Sequence, residues 1–134
     1  MKKALLFTSV FFMLVSMTSC KKLLGLDPES LLSKDPWVGD KVERYENGEF
    51  KASQTISNWS LEFDKNTHHF KFKSTNTGEG QWSYDKKNKI LTLNFENGMN
   101  MELKVIILKK KKLVASWISP NNSQIEFKFY FKRE

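Results

Sequence analysis

From about Asp40 to its end the chain predicts an all-β domain, an antiparallel up-and-down meander of eight or nine strands. Three observations carry this. Apolar and polar residues alternate with period two through successive runs, turn-forming residues separate the runs at short intervals, and no stretch of useful length shows the 3.6-residue period of an amphipathic helix. A meander of that length has edges to protect, and closing it into a barrel removes them. A small up-and-down barrel is the first expectation and a two-sheet β-sandwich the second, because alternation shows which faces are buried but not whether the first and last strands pair.

Upstream of the domain, Met1–Cys20 has the three parts of a secretory signal: Lys2 and Lys3, an apolar run from Ala4 to Met17, and the small pair Thr18-Ser19 before Cys20. The apolar run falls short of the roughly 20 residues a spanning helix needs. Met17-Thr18-Ser19-Cys20 resembles the lipobox of bacterial lipoproteins. The resemblance implies cleavage after Ser19, a diacylglycerol on the Cys20 thiol and a membrane anchor, and Lys21 after the cysteine implies sorting to the outer membrane. Cys20 is the only cysteine in the chain; lipidation would account for a thiol that an oxidising compartment would otherwise leave free. Loss of residues 1–19 removes Lys2 and Lys3 and no acid, so the formal charge falls from +7 to +5. That balance suits an anionic surface and falls short of a nucleic-acid footprint.

Residues 20–36 read as a lipidated tether. Asp27-Pro28 is an N-cap followed by a first helical position, and Glu29–Lys34 can form one or two turns that place Leu31 and Leu32 together before Pro36 stops them. Such a helix is marginal unless packed; it is either part of a plain tether or a lid over a barrel end. Residues 37–134 form one domain, without a cysteine to staple its core.

The alternation can be followed strand by strand. Phe50–Ile56 and Trp59–Phe63 are one bent strand or two. Phe70 and Phe72 alternate with His69, Lys71 and Lys73; Trp82 and Tyr84 with Gln81 and Ser83; Leu91, Leu93 and Phe95 with Thr92 and Asn94. A longer run places Met99, Met101, Leu103, Val105 and Ile107 on one face, and Leu113, Ala115 and Trp117 follow. Ile125, Phe127, Phe129 and Phe131 close the chain. Among the intervening turns, Asn47-Gly48 and Asn97-Gly98 are the strongest hairpin signals, since Asn-Gly accepts positive φ at both positions.

The signal, the short tether, Trp37-Val38-Gly39 at the domain start, the hairpins LEFDKNTHHFKF and GQWSYDKKNKILTL, and the final IEFKFYFKR together resemble the lipocalin-like domains of secreted bacterial lipoproteins. The resemblance implies a small hydrophobic ligand in the mouth of a barrel. Here the tryptophan precedes the glycine, the reverse of the family's Gly-x-Trp, so no ligand-contacting residue is carried over by motif. The residues themselves leave two interiors open, because an eight-stranded barrel is just wide enough to be filled by side chains or to hold one small ligand.

Alternation points Trp59, Phe63, Phe70, Phe72, Trp82, Phe95, Trp117, Phe127 and Phe129 inward; if there is a cavity, His68 and Tyr84 are the polar groups expected to orient a head group in it, with Trp82 and Trp117 beside the ligand. His68 is read as inward, on the face of Phe70 and Phe72; neighbouring His69 then faces the other way, so the pair cannot chelate one metal. No metal site and no cofactor are expected. There is no nucleophile elbow, His-Glu-x-x-His or phosphate-cradling glycine loop, and the carboxylates fall in turns or on wet faces, so the chain is read as non-enzymatic. Lys109, Lys110, Lys111 and Lys112 are either a solvated turn or a contact with anionic lipid. Nucleic acid is excluded as a partner, since the aromatics lie on the apolar face and away from the lysines.

Two functions stay open: a membrane-tethered binder of a small hydrophobic molecule, or a structural or protein-interaction module of the cell envelope with a filled core. A cavity of roughly 300 Å³ or more favours the first. Clustering of Ile106, Val114 and Ile118 into an exposed patch favours the second.

Overall fold

The structure, a computed structural model, describes residues 27–133. The expected signal segment, Cys20 and the first part of the tether lie outside the described residues. Among the described residues one helix, α1 (Pro28–Ser33), precedes nine strands: β1 (Trp37–Glu46), β2 (Glu49–Thr55), β3 (Ser60–Phe63), β4 (His69–Lys73), β5 (Thr77–Asp85), β6 (Ile90–Phe95), β7 (Asn100–Leu108), β8 (Lys112–Ile118) and β9 (Ile125–Lys132).

From β3 to β9 each strand pairs antiparallel with the next, and β9 returns to pair with β1 along Val38–Glu46. The start of β1 pairs with β3, Trp37 opposite Leu61 and Val38 opposite Ser60. Eight strands therefore close into a barrel, and the sandwich alternative is set aside. The ninth, β2, pairs with the later part of β1 on the edge that β3 uses nearer the start, and every one of its residues is exposed. The stretch that could have been one bent strand is thus two. The break between them is a turn in which Trp59 N–H donates to Ile56 O at 2.9 Å. Here the chain passes so close to β1 that a Cβ on Gly39 would stand 2.2 Å from Ile56 O, which only glycine avoids.

Antiparallel alternation sorts the connections to two ends. The β3–β4, β5–β6 and β7–β8 turns share one end with α1 and the finish of β9; the β1–β2, β4–β5, β6–β7 and β8–β9 turns share the other. The first end is closed. Asp27 caps α1 by accepting from Ser30 N–H at 3.2 Å, Pro28 occupies the first turn, and Leu32 is fully buried among the core side chains. Burial of Leu32 contributes about 1.5–3 kcal/mol, which offsets the weakness of a six-residue helix. Of the two readings of this segment, the structure favours the lid.

What holds the lid is a pair 96 positions apart in the chain. Arg133, only 8% exposed, lies 3.5 Å over the Trp37 ring and donates to Leu32 O at 2.8 Å, Asp35 O at 2.9 Å and Lys110 O at 3.2 Å. Trp37 Nε1 also donates to Leu32 O, at 3.0 Å. One guanidinium thereby ties helix, final strand and β7–β8 turn together. Burial lowers its pKa and the nearby Asp35 carboxylate works against that shift.

Several details depart from simple alternation. A bulge between Val105 and Ile107 shifts the register of β7, so that Leu108, opposite Leu113, packs on the core while Ile107 pairs with Val114 on the outer face. Val114 is 2% exposed and adds nothing to an exposed patch. His68 has φ +55°, outside the strand that begins at His69, and its side chain is half exposed; this left-handed residue breaks the alternation that placed it inward. In the β1–β2 turn both Asn47 (φ +52°) and Gly48 (φ +81°) are left-handed, as Asn-Gly predicts. In the β6–β7 turn only Gly98 is (φ +93°), with its N–H donating to Phe95 O, which is the longer hairpin loop ending in a left-handed glycine.

Candidate functional site

The end opposite α1 is open, and below its rim lies a cavity of about 420 Å³. Its walls come from facing strands. Trp59 and Leu61 stand on the β3 side, Phe72 on β4, Leu93 and Phe95 on β6, Met101 and Leu103 on β7, and Phe129 and Phe131 on β9. Trp59 is the pivot: its ring meets Phe72 edge-on at 5.3 Å between centroids and stacks on Phe129 at 6.0 Å. Phe95 lies against Phe70 at 5.0 Å, and a Cβ on Gly78 would meet the Phe95 ring at 3.0 Å, so glycine there leaves room for the ring along the wall. The rim is polar and uncharged, made of Ser74, Asn76 and Thr77 from one hairpin tip and Asn97 from another, with half-exposed Met99 beside them.

Among the described residues no Asp, Glu, Lys, Arg or His lines this cavity. The lining can therefore exclude water from an apolar molecule and offer a few neutral hydrogen-bonding groups at the rim, but it has no group suited to general acid–base work at neutral pH. Among the described residues no three His, Cys, Asp or Glu are grouped to hold a metal, and no helix is long and apolar enough to cross a membrane.

The residues singled out from sequence lie elsewhere. Trp82 is buried toward the closed end, where its Nε1 donates to Asp64 O at 3.0 Å and its ring packs on Phe63 at 5.2 Å. His68 rests on Trp82, 5.0 Å between rings, with Nε2 3.3 Å from Glu29 of α1, so these two belong to the lid's surroundings. Tyr84 is half-buried against the core; burial first, and the Asp85 carboxylate second, raise its pKa. Trp117 packs on the core and on Phe127 at 5.8 Å, and also borders a hollow on the outer wall. None of the four lines the mouth cavity. Lys109–Lys112 are exposed at the closed end, where Lys109 N–H donates to Lys112 O at 2.8 Å and Arg133 bonds the carbonyls of Lys110 and Lys111.

Of the aromatics that alternation points inward, Trp59, Phe72, Phe95 and Phe129 line the cavity. The sequence pattern misses the rim. Ser74, Asn76, Thr77 and Asn97 read only as turn residues, and their place at the mouth follows from alternation of the hairpins once the end opposite α1 is known to be open.

No family model matches this chain, and no curated protein matches it. Among solved structures it is similar to a lipocalin-like protein from Bacteroides uniformis, at 13% identity and a TM-score of 0.55, over 78% of this chain and 99% of that one. It is also similar to a deswapped triple mutant of bovine odorant binding protein, at 18% identity and a TM-score of 0.45, over 78% of this chain and 74% of that one. The first likeness shows the fold: an all-β, eight-stranded antiparallel closed barrel of lipocalin-like type with one extra strand.

Proposed function

We propose that this protein is a lipid-anchored lipoprotein of the bacterial cell envelope, probing the periplasm from the outer membrane, and that its barrel binds one small hydrophobic molecule without transforming it. The observation that carries the binding reading is the open-mouthed cavity of about 420 Å³ with aromatic, leucine and methionine walls, a size within the range of about 300–1,000 Å³ usual for small-molecule sites. The absence of charged groups from its lining supports a binder over a catalyst. The anchor rests on Met17–Cys20 and on the apolar run before it.

A neutral fluorescent probe, N-phenyl-1-naphthylamine, tests this reading. The protein should bind it saturably at one equivalent, and Met101→Trp, which fills the cavity, should weaken binding at least tenfold while leaving the barrel folded. Equal binding by the filled variant would remove the cavity from the function. The alternative, an interaction module of the envelope, draws support from exposed Ile106 and Ile118, which border one outer hollow together with Ile90 and Pro120. That reading would gain if the probe failed to bind at all.

A further inference from the structure

The lysines of the turns and strand ends are distributed unequally between the barrel's two ends. At the closed end Lys34 follows α1, Lys65 lies in the β3–β4 turn, Lys86, Lys87 and Lys89 fill the β5–β6 turn, Lys109, Lys110 and Lys111 form the β7–β8 turn and Lys112 opens β8; all nine are exposed. Five acids share this end, and four of them are engaged locally. Asp27 caps α1 and pairs with Lys65 at 3.6 Å, Glu29 stands 3.3 Å from His68, and the Asp64 and Asp85 carboxylates accept backbone N–H bonds within their own turns. The four turns at the open end hold one acid, Glu96, and no Lys, Arg or His; the strand ends beside them add one lysine, Lys73, and two acids, Glu46 and Glu49. The described chain also begins on the closed end, at Asp27.

We infer that the closed end is a docking face for an anionic lipid surface, and that the cavity mouth points away from that surface. The occupant follows from charge and from the chain's course. A cap of exposed ammoniums is attracted to acidic headgroups by roughly fivefold in affinity per lysine brought near them, and, on the lipoprotein reading proposed above, the six residues between Cys20 and Asp27 are few enough to keep this face, rather than the mouth, beside a lipid-attached cysteine. A mouth with a neutral polar rim and apolar walls on the far side would then take its ligand from the aqueous compartment or from another protein, not directly from the membrane that holds it. The orientation does not depend on the identity of the ligand.

Lysine footprinting reads this orientation on the full-length protein. The chain is placed on vesicles of phosphatidylcholine and phosphatidylglycerol at two to one, or of phosphatidylcholine alone, acetylated briefly, and analysed by mass spectrometry. On the anionic vesicles Lys86, Lys87 and Lys109–Lys112 should react several-fold more slowly than Lys51 on β2 and Lys128 on β9, and raised salt should restore their rates. On neutral vesicles no such difference should appear. Uniform rates on anionic vesicles, protection centred on Lys51 or Lys128, or protection that persists on neutral lipid would each overturn the inference.

Discussion

Replacing Arg133 tests the closed end most sharply. Its guanidinium makes three hydrogen bonds to carbonyls and covers the Trp37 ring at 3.5 Å, while only 8% exposed. A desolvated cation over tryptophan contributes about 2 kcal/mol, and a bond involving a charged donor about 1.5–3 kcal/mol. Full addition is not expected. Asp35 and Lys110 are exposed residues whose carbonyls can rehydrate, and Leu32 O keeps its bond from Trp37 Nε1. Arg133→Ala should therefore cost about 3 kcal/mol, and Arg133→Lys, which keeps the charge but cannot reach three carbonyls at once, roughly half of that. Urea unfolding followed by tryptophan fluorescence measures the cost, and amide hydrogen exchange at Leu31 should speed up in both variants because α1 loses its latch. A cost below about 0.5 kcal/mol, the range of an ordinary surface substitution, together with unchanged exchange in α1, would refute this reasoning.

Three further outcomes are expected. Gly39→Ala places a methyl group 2.2 Å from Ile56 O and should destabilise the barrel by more than about 2 kcal/mol, whereas Gly78→Ala, which meets only a movable Phe95 ring, should cost less, both measured by thermal unfolding. Tyr130 has its pKa pushed up to about 12, first by its hydrogen bond to Glu43 and then by burial; a raised folded pKa means stability that is complete below pH 10 and lost as pH rises toward 12, and Glu43→Gln should bring the ultraviolet titration of this tyrosine back toward 10. Growth with a labelled fatty acid should transfer label to the protein, and Cys20→Ala should abolish the transfer without disturbing the fold; label that persists in the variant would sink the lipoprotein reading.

The parts of this fold that were legible in the sequence are those set by local rules. Period-two alternation located the inward aromatics Trp59, Phe72, Phe95 and Phe129 because each strand has one wet face. Asp27-Pro28 announced a helix start because capping and proline chemistry act over three residues. What stayed hidden depends on distant pairing. The seam between β1 and β9 and the bonds from Arg133 to Leu32 join residues at opposite ends of the described chain, and no local pattern marks them. His68 and Ile107 misled for another reason: a single left-handed residue or a single bulge inverts the faces of whatever adjoins it, and alternation assumes an uninterrupted pleat. The choice between a filled and a hollow interior also escaped, since the same large side chains permit both until their rotamers and the closure of one end are fixed.

The methionines offer the most direct test of the cavity. The five methionines are Met1, Met13, Met17, Met99 and Met101, so removal of the signal would leave two, both beside the cavity. In protein labelled with carbon-13 at the methionine methyl groups, N-phenyl-1-naphthylamine should shift the Met101 resonance saturably at one equivalent, with a smaller shift at Met99 on the rim. Binding of the probe with the Met101 methyl unmoved would contradict a ligand site inside the barrel.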